Sequence, residues 1–211
     1  MRPSILIDLG GVLAHMPRFA EAWGARFGMT TQEFLTAVYA GSDDTVLIGA
    51  VTEGEWWRIV AGRLGVTADV IDEMHQDMAA KESWDEALVA LLRTLRDPRG
   101  LGGPGGARRS VRTAVVSNAW PETRARLRRD GMLDLVDELV ISAEVGCAKP
   151  DPRIFEIALD RVGARPGDAL FIDDTPGHVA AAQALGIAGH VHTDSASTIE
   201  AIQDFLAKSS A

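Results

Sequence analysis

Ile5, Leu6 and Ile7 form a short unbroken apolar run that ends at Asp8 and the pair Gly10-Gly11, the pattern of a buried strand closing in a tight turn. From about Pro17 to Met78 the apolar positions recur at helical spacing. Thr30 with Glu33 and Thr52 with Glu55 fit capping boxes that start two helices, and Thr67 fits a further N-cap. After Thr52, the residues Trp56, Trp57, Val60 and Leu64 share one helical face. Ser83 with Glu86 predicts the cap of another helix, which carries Leu88, Leu91, Leu92 and Leu95 and is stopped by Asp97-Pro98.

Strand-then-helix units fill the second half. Strands are predicted over 113–117, 139–142 and 169–172, with a last short one closing at Val191. The helices between them open with Pro121 and close at Gly131, run over 152–162 between Asp151 and Gly163, and end at Gly186; Ser197 with Glu200 caps the final one. This alternation predicts an α/β fold, a parallel sheet covered by helices on both faces. The early helical block, falling between the first strand and the rest, reads as an insertion above the sheet. The expected division is a core of residues 1–16 and 82–211, a helical cap of 17–81, and a flexible Gly-rich loop at 99–110 within the core. Residues 100–106 hold five glycines and a proline, too little side chain to build a core.

Composition narrows the function. The 211 residues carry 30 acids against 21 bases, a formal charge of -9, which argues against a nucleic-acid partner. Arg124, Arg126, Arg128 and Arg129 read as a solvated helical face. No apolar run reaches the ~20 residues needed to span a bilayer, so no membrane partner is expected. The single cysteine, Cys147, forms no internal disulfide and suits a reducing cytoplasm; it reads as an inert buried thiol. Of the 21 bases only Lys81, Lys149 and Lys208 are lysines, so a compact ammonium has three candidates.

Ligands of open α/β sheets bind at the carboxyl ends of the strands. There stand Asp8, then Ser117-Asn118, then Asp173-Asp174, with Lys149-Pro150 in the loop that follows the third strand. Taken singly, each is ordinary turn or cap chemistry. Together, adjacent carboxylates repel unless a cation compensates, and Asp8, Asp173 and Asp174 offer the hard oxygen ligands that suit Mg²⁺.

The segments Ile5-Leu6-Ile7-Asp8-Leu9-Gly10-Gly11-Val12-Leu13, Val115-Val116-Ser117-Asn118, Lys149-Pro150-Asp151-Pro152 with Ile154-Phe155, and Phe171-Ile172-Asp173-Asp174 with Gly186 resemble, in order, the motifs of the haloacid dehalogenase superfamily. The helical insertion looks like the small cap of the subfamily that includes many sugar-phosphate phosphatases, glucose-1-phosphate phosphatase-like members among them. The resemblance implies a Rossmann-like core and a Mg²⁺-dependent hydrolase of a small-molecule phosphate ester, monomeric or homodimeric. Asp8 would be the nucleophile. Ser117 and the backbone of Asn118 would hold the phosphoryl group, with Lys149 neutralising charge and the Leu9–Gly11 turn completing the cradle. Asp8, the Gly10 carbonyl, Asp173 and Asp174 would hold the metal, with Asp174 in direct contact. The same resemblance keeps two alternatives: a 2-haloacid dehalogenase-like hydrolase, and a catalytically degenerate binding protein.

Gly10 departs from the family pattern, in which a second aspartate two residues after the nucleophile protonates the leaving group. Glycine keeps a carbonyl there and loses the acid, help typically worth about 10²–10⁴-fold. His15 is the candidate substitute donor. Trp23, Tyr39, Trp56, Trp57 and Trp84 lie in or beside the cap, where one or two of them facing the cleft would stack on substrate. Lys81, near the cap–core junction, reads as a surface residue, with a Schiff-base role as the rival.

Overall fold

The computed structural model describes residues 2–15, 18–42, 44–96 and 111–209. The expected 99–110 loop and the Asp97-Pro98 helix stop lie outside these. The chain opens with β1 (Ser4–Ile7) and the short β2 (Ala14–His15). Four helices follow: α1 (Phe19–Arg26), α2 (Thr31–Tyr39), α3 (Glu53–Leu64) and α4 (Ala68–Lys81). After β3 (Ser83–Trp84) and α5 (Glu86–Arg96), the order is β4 (Arg112–Ser117), α6 (Thr123–Arg129), β5 (Glu138–Ile141), α7 (Ser142–Val145), α8 (Pro152–Val162), β6 (Ala169–Asp173), α9 (Pro176–Ala184), β7 (Ala188–Val191) and α10 (Ser195–Lys208). No helix among the described residues is long and apolar enough to cross a membrane.

The main sheet has strand order β5-β4-β1-β6-β7, parallel throughout. Both faces are covered, and successive side chains serve opposite faces. Ile5 and Ile7 pack with Leu88 and Leu92 of α5 and Ile202 of α10. Leu6 between them packs with Phe155 and Leu159 of α8 and Ala182 of α9. The insertion has an apolar cluster of its own, including Phe34, Trp56, Val60 and Met74. This cluster is distinct from the two that flank the sheet, and Trp120 of the core packs against it.

Both capping boxes form: Thr30 and Thr52 accept from Glu33 N and Glu55 N, and the glutamates reach back. Asp151 caps α8, and Gly163 ends it with φ 67°. Three local expectations change. Ser83 is not a cap; it pairs in β3 antiparallel with His15, and Asp85 caps α5 by accepting from Leu88 N at 2.9 Å. Asp194 rather than Ser197 caps α10, accepting from Ser197 N at 2.8 Å. Ser142 leaves the strand and opens α7. Thr67 stands at its N-cap position with no side-chain bond. In each replaced case an aspartate carboxylate, a stronger acceptor than a serine hydroxyl, takes the cap.

A carboxylate site at the rim of the sheet

Because β1 lies between β4 and β6, the strand order alone brings Asp8, Ser117 and Asp173 to adjacent positions along one rim. All three are buried, Asp8 at 7% exposure and Asp173 at 0%. Lys149 reaches into the cluster from the loop after α7: its Nζ lies 2.8 Å from Asp8 Oδ1 and donates to Asp173 Oδ2 at 2.6 Å. Its side chain is fully buried.

The loop that aims Lys149 is clamped by Asn118. Asn118 Nδ2 donates to the Lys149 carbonyl at 2.8 Å, and Lys149 N donates to Asn118 Oδ1 at 2.7 Å. The side chain of Asn118 therefore positions the lysine, a task distinct from the backbone contact expected of it. The Lys149–Pro150 peptide is cis. Asp173 is further held by Thr175 N at 2.8 Å and by His178 Nδ1 at 3.0 Å.

Burial pushes the Asp8 carboxyl above its usual range; Lys149 works against this, and the charge of Asp173 adds to it. Burial acts the same way on Asp173, but His178, Lys149 and the Thr175 N–H together outweigh it and hold Asp173 below the usual value. Two neighbouring acids thus divide, with the better-bonded one keeping its charge more firmly.

Asp174 is exposed beside them. One oxygen from each of Asp8, Asp173 and Asp174 lies within 4.8 Å of the others. Gly11, with φ +77°, makes the approach of Asp174 feasible: a Cβ there would lie 2.2 Å from Asp174 Oδ2. Gly10 differs, since a Cβ there meets nothing within 4 Å.

Other candidates fall elsewhere. His15 Nε2 faces Asp85 at 3.9 Å, its ring stacks with His192 at 6.4 Å, and it is not among the residues lining the cleft. Lys81 is paired with Asp77 at 2.8 Å and is also off the cleft wall. Cys147 is buried. Trp23, Trp56 and Trp57 are buried in the cap's own cluster, while Trp84 packs against the core.

A cleft of about 740 Å³ runs between core and cap, lined by Leu9, Gly10, Ser117 and Asn118 and, from the cap, by Tyr39, Glu53 and His75. The cap is seated on the core through Trp120, whose ring lies 5.7 Å from that of Trp57 and 6.0 Å from that of Tyr39. A second contact is Gly49, where a Cβ would meet the Ala143 carbonyl at 2.3 Å. The arginines of α6 are not simply a solvated face: Arg126 Nη1 donates to Glu82 at 2.6 Å, Arg124 forks onto Glu144, and both Arg126 and Arg129 line the cleft.

Sequence reasoning passed over Trp120, Glu122 and Glu53. The signal for the first two was available, since Trp120-Pro121-Glu122 follows the Ser117-Asn118 pair after a single residue, Ala119, at a strand's carboxyl end. Glu53 stood next to a capping threonine and carried no mark of its own.

An aspartate at the centre of a parallel sheet's carboxyl rim, bonded to a buried lysine and flanked by an acidic pair beneath a helical cap, defines a class of α/β hydrolases. Residues 4–186 match the haloacid dehalogenase-like hydrolase family, and the chain belongs to it. Among curated relatives, the bifunctional epoxide hydrolase 2 of Sus scrofa is 26% identical over 196 residues, covering 87% of this chain and 35% of that protein. The chain thus spans well under half the length of that relative. Among solved structures, a protein of Porphyromonas gingivalis described as a predicted HAD-like family hydrolase has a TM-score of 0.72 at 24% identity, over 98% of each chain. A HAD family enzyme of Bacteroides thetaiotaomicron, solved in complex with magnesium and inorganic phosphate, has a TM-score of 0.70 at 21% identity, over 92% of this chain and 95% of that one. These two likenesses are of fold.

Proposed function

We propose that the protein is a Mg²⁺-dependent phosphohydrolase that cleaves a small phosphate monoester through an aspartyl phosphate on Asp8. The observation that carries this is the buried Asp8–Lys149–Asp173 group with Asp174 beside it. A lysine locked between two acids supports a nucleophilic carboxylate, and a third acid within 4.8 Å gives a net negative oxygen cluster that fits a hard divalent cation. The magnesium-and-phosphate complex of the Bacteroides thetaiotaomicron enzyme is consistent with this.

Asp8 attacks phosphorus; the new bond is Asp8 Oδ–P, and the bond to the leaving oxygen breaks. Water then attacks the same phosphorus and breaks the Asp8–phosphate bond, returning the carboxylate and releasing inorganic phosphate, while the proton the water loses balances the one the departed oxygen takes from solvent. Lys149 favours the charged form of Asp8 against the effect of burial and offsets charge on the transferring group. Ser117, the Asn118 backbone N–H and the turn at 9–11 hold the phosphoryl oxygens. Asp173 has its oxygens taken by Lys149, His178 and Thr175, so it orients the lysine first and faces metal second. Asp8, Asp174 and the Gly10 carbonyl would be the direct metal contacts. Bound there, Mg²⁺ supplies electrostatic stabilisation of the phosphoryl oxygens.

A panel of phosphate esters with Mg²⁺ is expected to show phosphate release that EDTA removes and that Asp8→Asn lacks. Metal-independent turnover of a 2-haloacid by the same aspartate would overturn this reading in favour of a dehalogenase. With no acid at position 10, esters of weakly basic leaving oxygens (aryl and acyl phosphates, sugar 1-phosphates) are expected to outpace simple alkyl phosphates. Equal or better turnover of alkyl phosphates would contradict that preference.

A further inference from the structure

Phosphoryl transfer engages Asp8, Ser117 and Lys149, and His178 stands one residue behind them. It is the third residue of α9, which begins at Pro176, so its side chain lies in the first turn after β6 and reaches back to the strand end. Nδ1 lies 3.0 Å from Asp173 Oδ1 and 3.2 Å from Asp173 Oδ2. Both oxygens already accept a hydrogen, Oδ1 from Thr175 N and Oδ2 from Lys149 Nζ. A bare ring nitrogen would set its lone pair against theirs, so Nδ1 carries the hydrogen and donates.

Asp173 and Lys149 have fully buried side chains, so water does not reach the pair to replace a lost donor. The His178 ring is 19% exposed and stands on the solvent side of them. The ammonium of Lys149 is divided between Asp173 at 2.6 Å and Asp8 at 2.8 Å. Its place is therefore a balance between two acids, and whatever satisfies Asp173 leaves more of the ammonium to Asp8. His178 and Lys149 both donate to the same carboxylate, and they act on each other through it.

We propose that His178 is a positioning residue, whose Nδ1–H holds the Asp173 carboxylate so that Lys149 stays shared with the nucleophile Asp8. The proposal rests on the phosphohydrolase reading of this site and adds a residue to it. Without that hydrogen the buried carboxylate keeps only Lys149 and Thr175, and it draws the ammonium off Asp8 and away from the transferring group. The site requires a donor at this point rather than an imidazole as such. Asparagine offers one the same number of bonds from the backbone, and leucine fills comparable space with none.

Three measurements on the full chain test this. In hydrolysis of phenyl phosphate at saturating Mg²⁺, His178→Leu is expected to lower kcat about 10–100-fold while KM moves less than about threefold, since Ser117 and Asn118 still hold the phosphoryl group. His178→Asn should recover most of the loss. In ¹⁵N spectra of histidine-labelled protein, the His178 Nδ1 signal, assigned by its absence from His178→Asn, should be that of a protonated nitrogen. In thermal melts, His178→Leu should cost more in the Lys149→Met chain than in the unmodified one, because Asp173 then loses a second donor; a side chain that only packs costs the same in both. Equal loss of kcat in the leucine and asparagine variants, no loss in either, a bare Nδ1, or additive melts overturns the positioning role, while turnover by the unmodified chain keeps the phosphohydrolase reading. No phosphate release by the unmodified chain from any ester of the panel overturns the phosphohydrolase reading instead, and the ring nitrogen and the melts then still decide whether His178 acts on Lys149 through Asp173.

Discussion

Lys149→Ala is expected to abolish phosphate release and also to destabilise the folded chain. The ammonium is fully buried between Asp8 at 2.8 Å and Asp173 at 2.6 Å. Breaking a buried ion pair by removing one partner costs about 3–5 kcal/mol, because the remaining charge loses its compensation. For a chain of this size that corresponds to a fall in melting temperature of about 10 °C. Lys149→Met keeps most of the packing against Phe171, whose ring lies 5.5 Å from the ammonium, and isolates the charge term. Adding Asp8→Asn to Lys149→Met removes one of the two stranded carboxylates and should recover part of the lost stability. That rescue separates an electrostatic role from a packing role: if Lys149→Met melts with the unmodified protein, the lysine contributes no stability as a charge and acts in catalysis alone. Asn118→Ala should act in the same direction more weakly, since it loosens both bonds that hold the lysine loop.

The rim acids were legible in the sequence because of how a parallel sheet is built. Each strand is a short apolar run whose end is marked by the first polar residue, so Asp8, Ser117 and Asp173 declare themselves without any long-range information. Their adjacency needed only the alternation of strands and helices. What stayed hidden depends on partners far along the chain. The β2–β3 pairing joins Ala14 to Trp84, and neither two-residue segment carries a strand pattern. The cap positions of Ser83 and Ser197 were plausible by spacing, and lost to Asp85 and Asp194 because spacing does not rank acceptors. Arg126 read as a solvated charge because its partner Glu82 is 44 residues away. Glu53 and Glu122 drew no notice for the same reason, since they share the wall of a cleft that exists only once cap and core have folded.

Two neighbouring glycines should respond oppositely to a side chain, and the difference bears on how fast the enzyme works. Gly11 is at φ +77°, and its Cβ position is occupied by Asp174 at 2.2 Å. Gly11→Ala is therefore expected to push Asp174 out of the acid cluster, weakening Mg²⁺ binding, and to add the strain of a left-handed alanine. Gly10 lies on the cleft wall, is exposed, and has open space at its Cβ. Gly10→Ala should fold and bind metal as the unmodified chain does. Glycine at this position thus answers to no steric demand of the fold, and Gly10→Asp has room for a carboxyl facing the leaving group. If proton transfer to the leaving oxygen limits the rate, kcat on alkyl phosphates should rise by about 100-fold, within the range general acids supply. Aryl phosphates, whose oxygens leave without a proton, should change little. A rise on both classes alike would mean that the new carboxylate improves metal binding instead. No rise on either, with the fold and metal affinity intact, would show that another residue of the cleft already donates the proton.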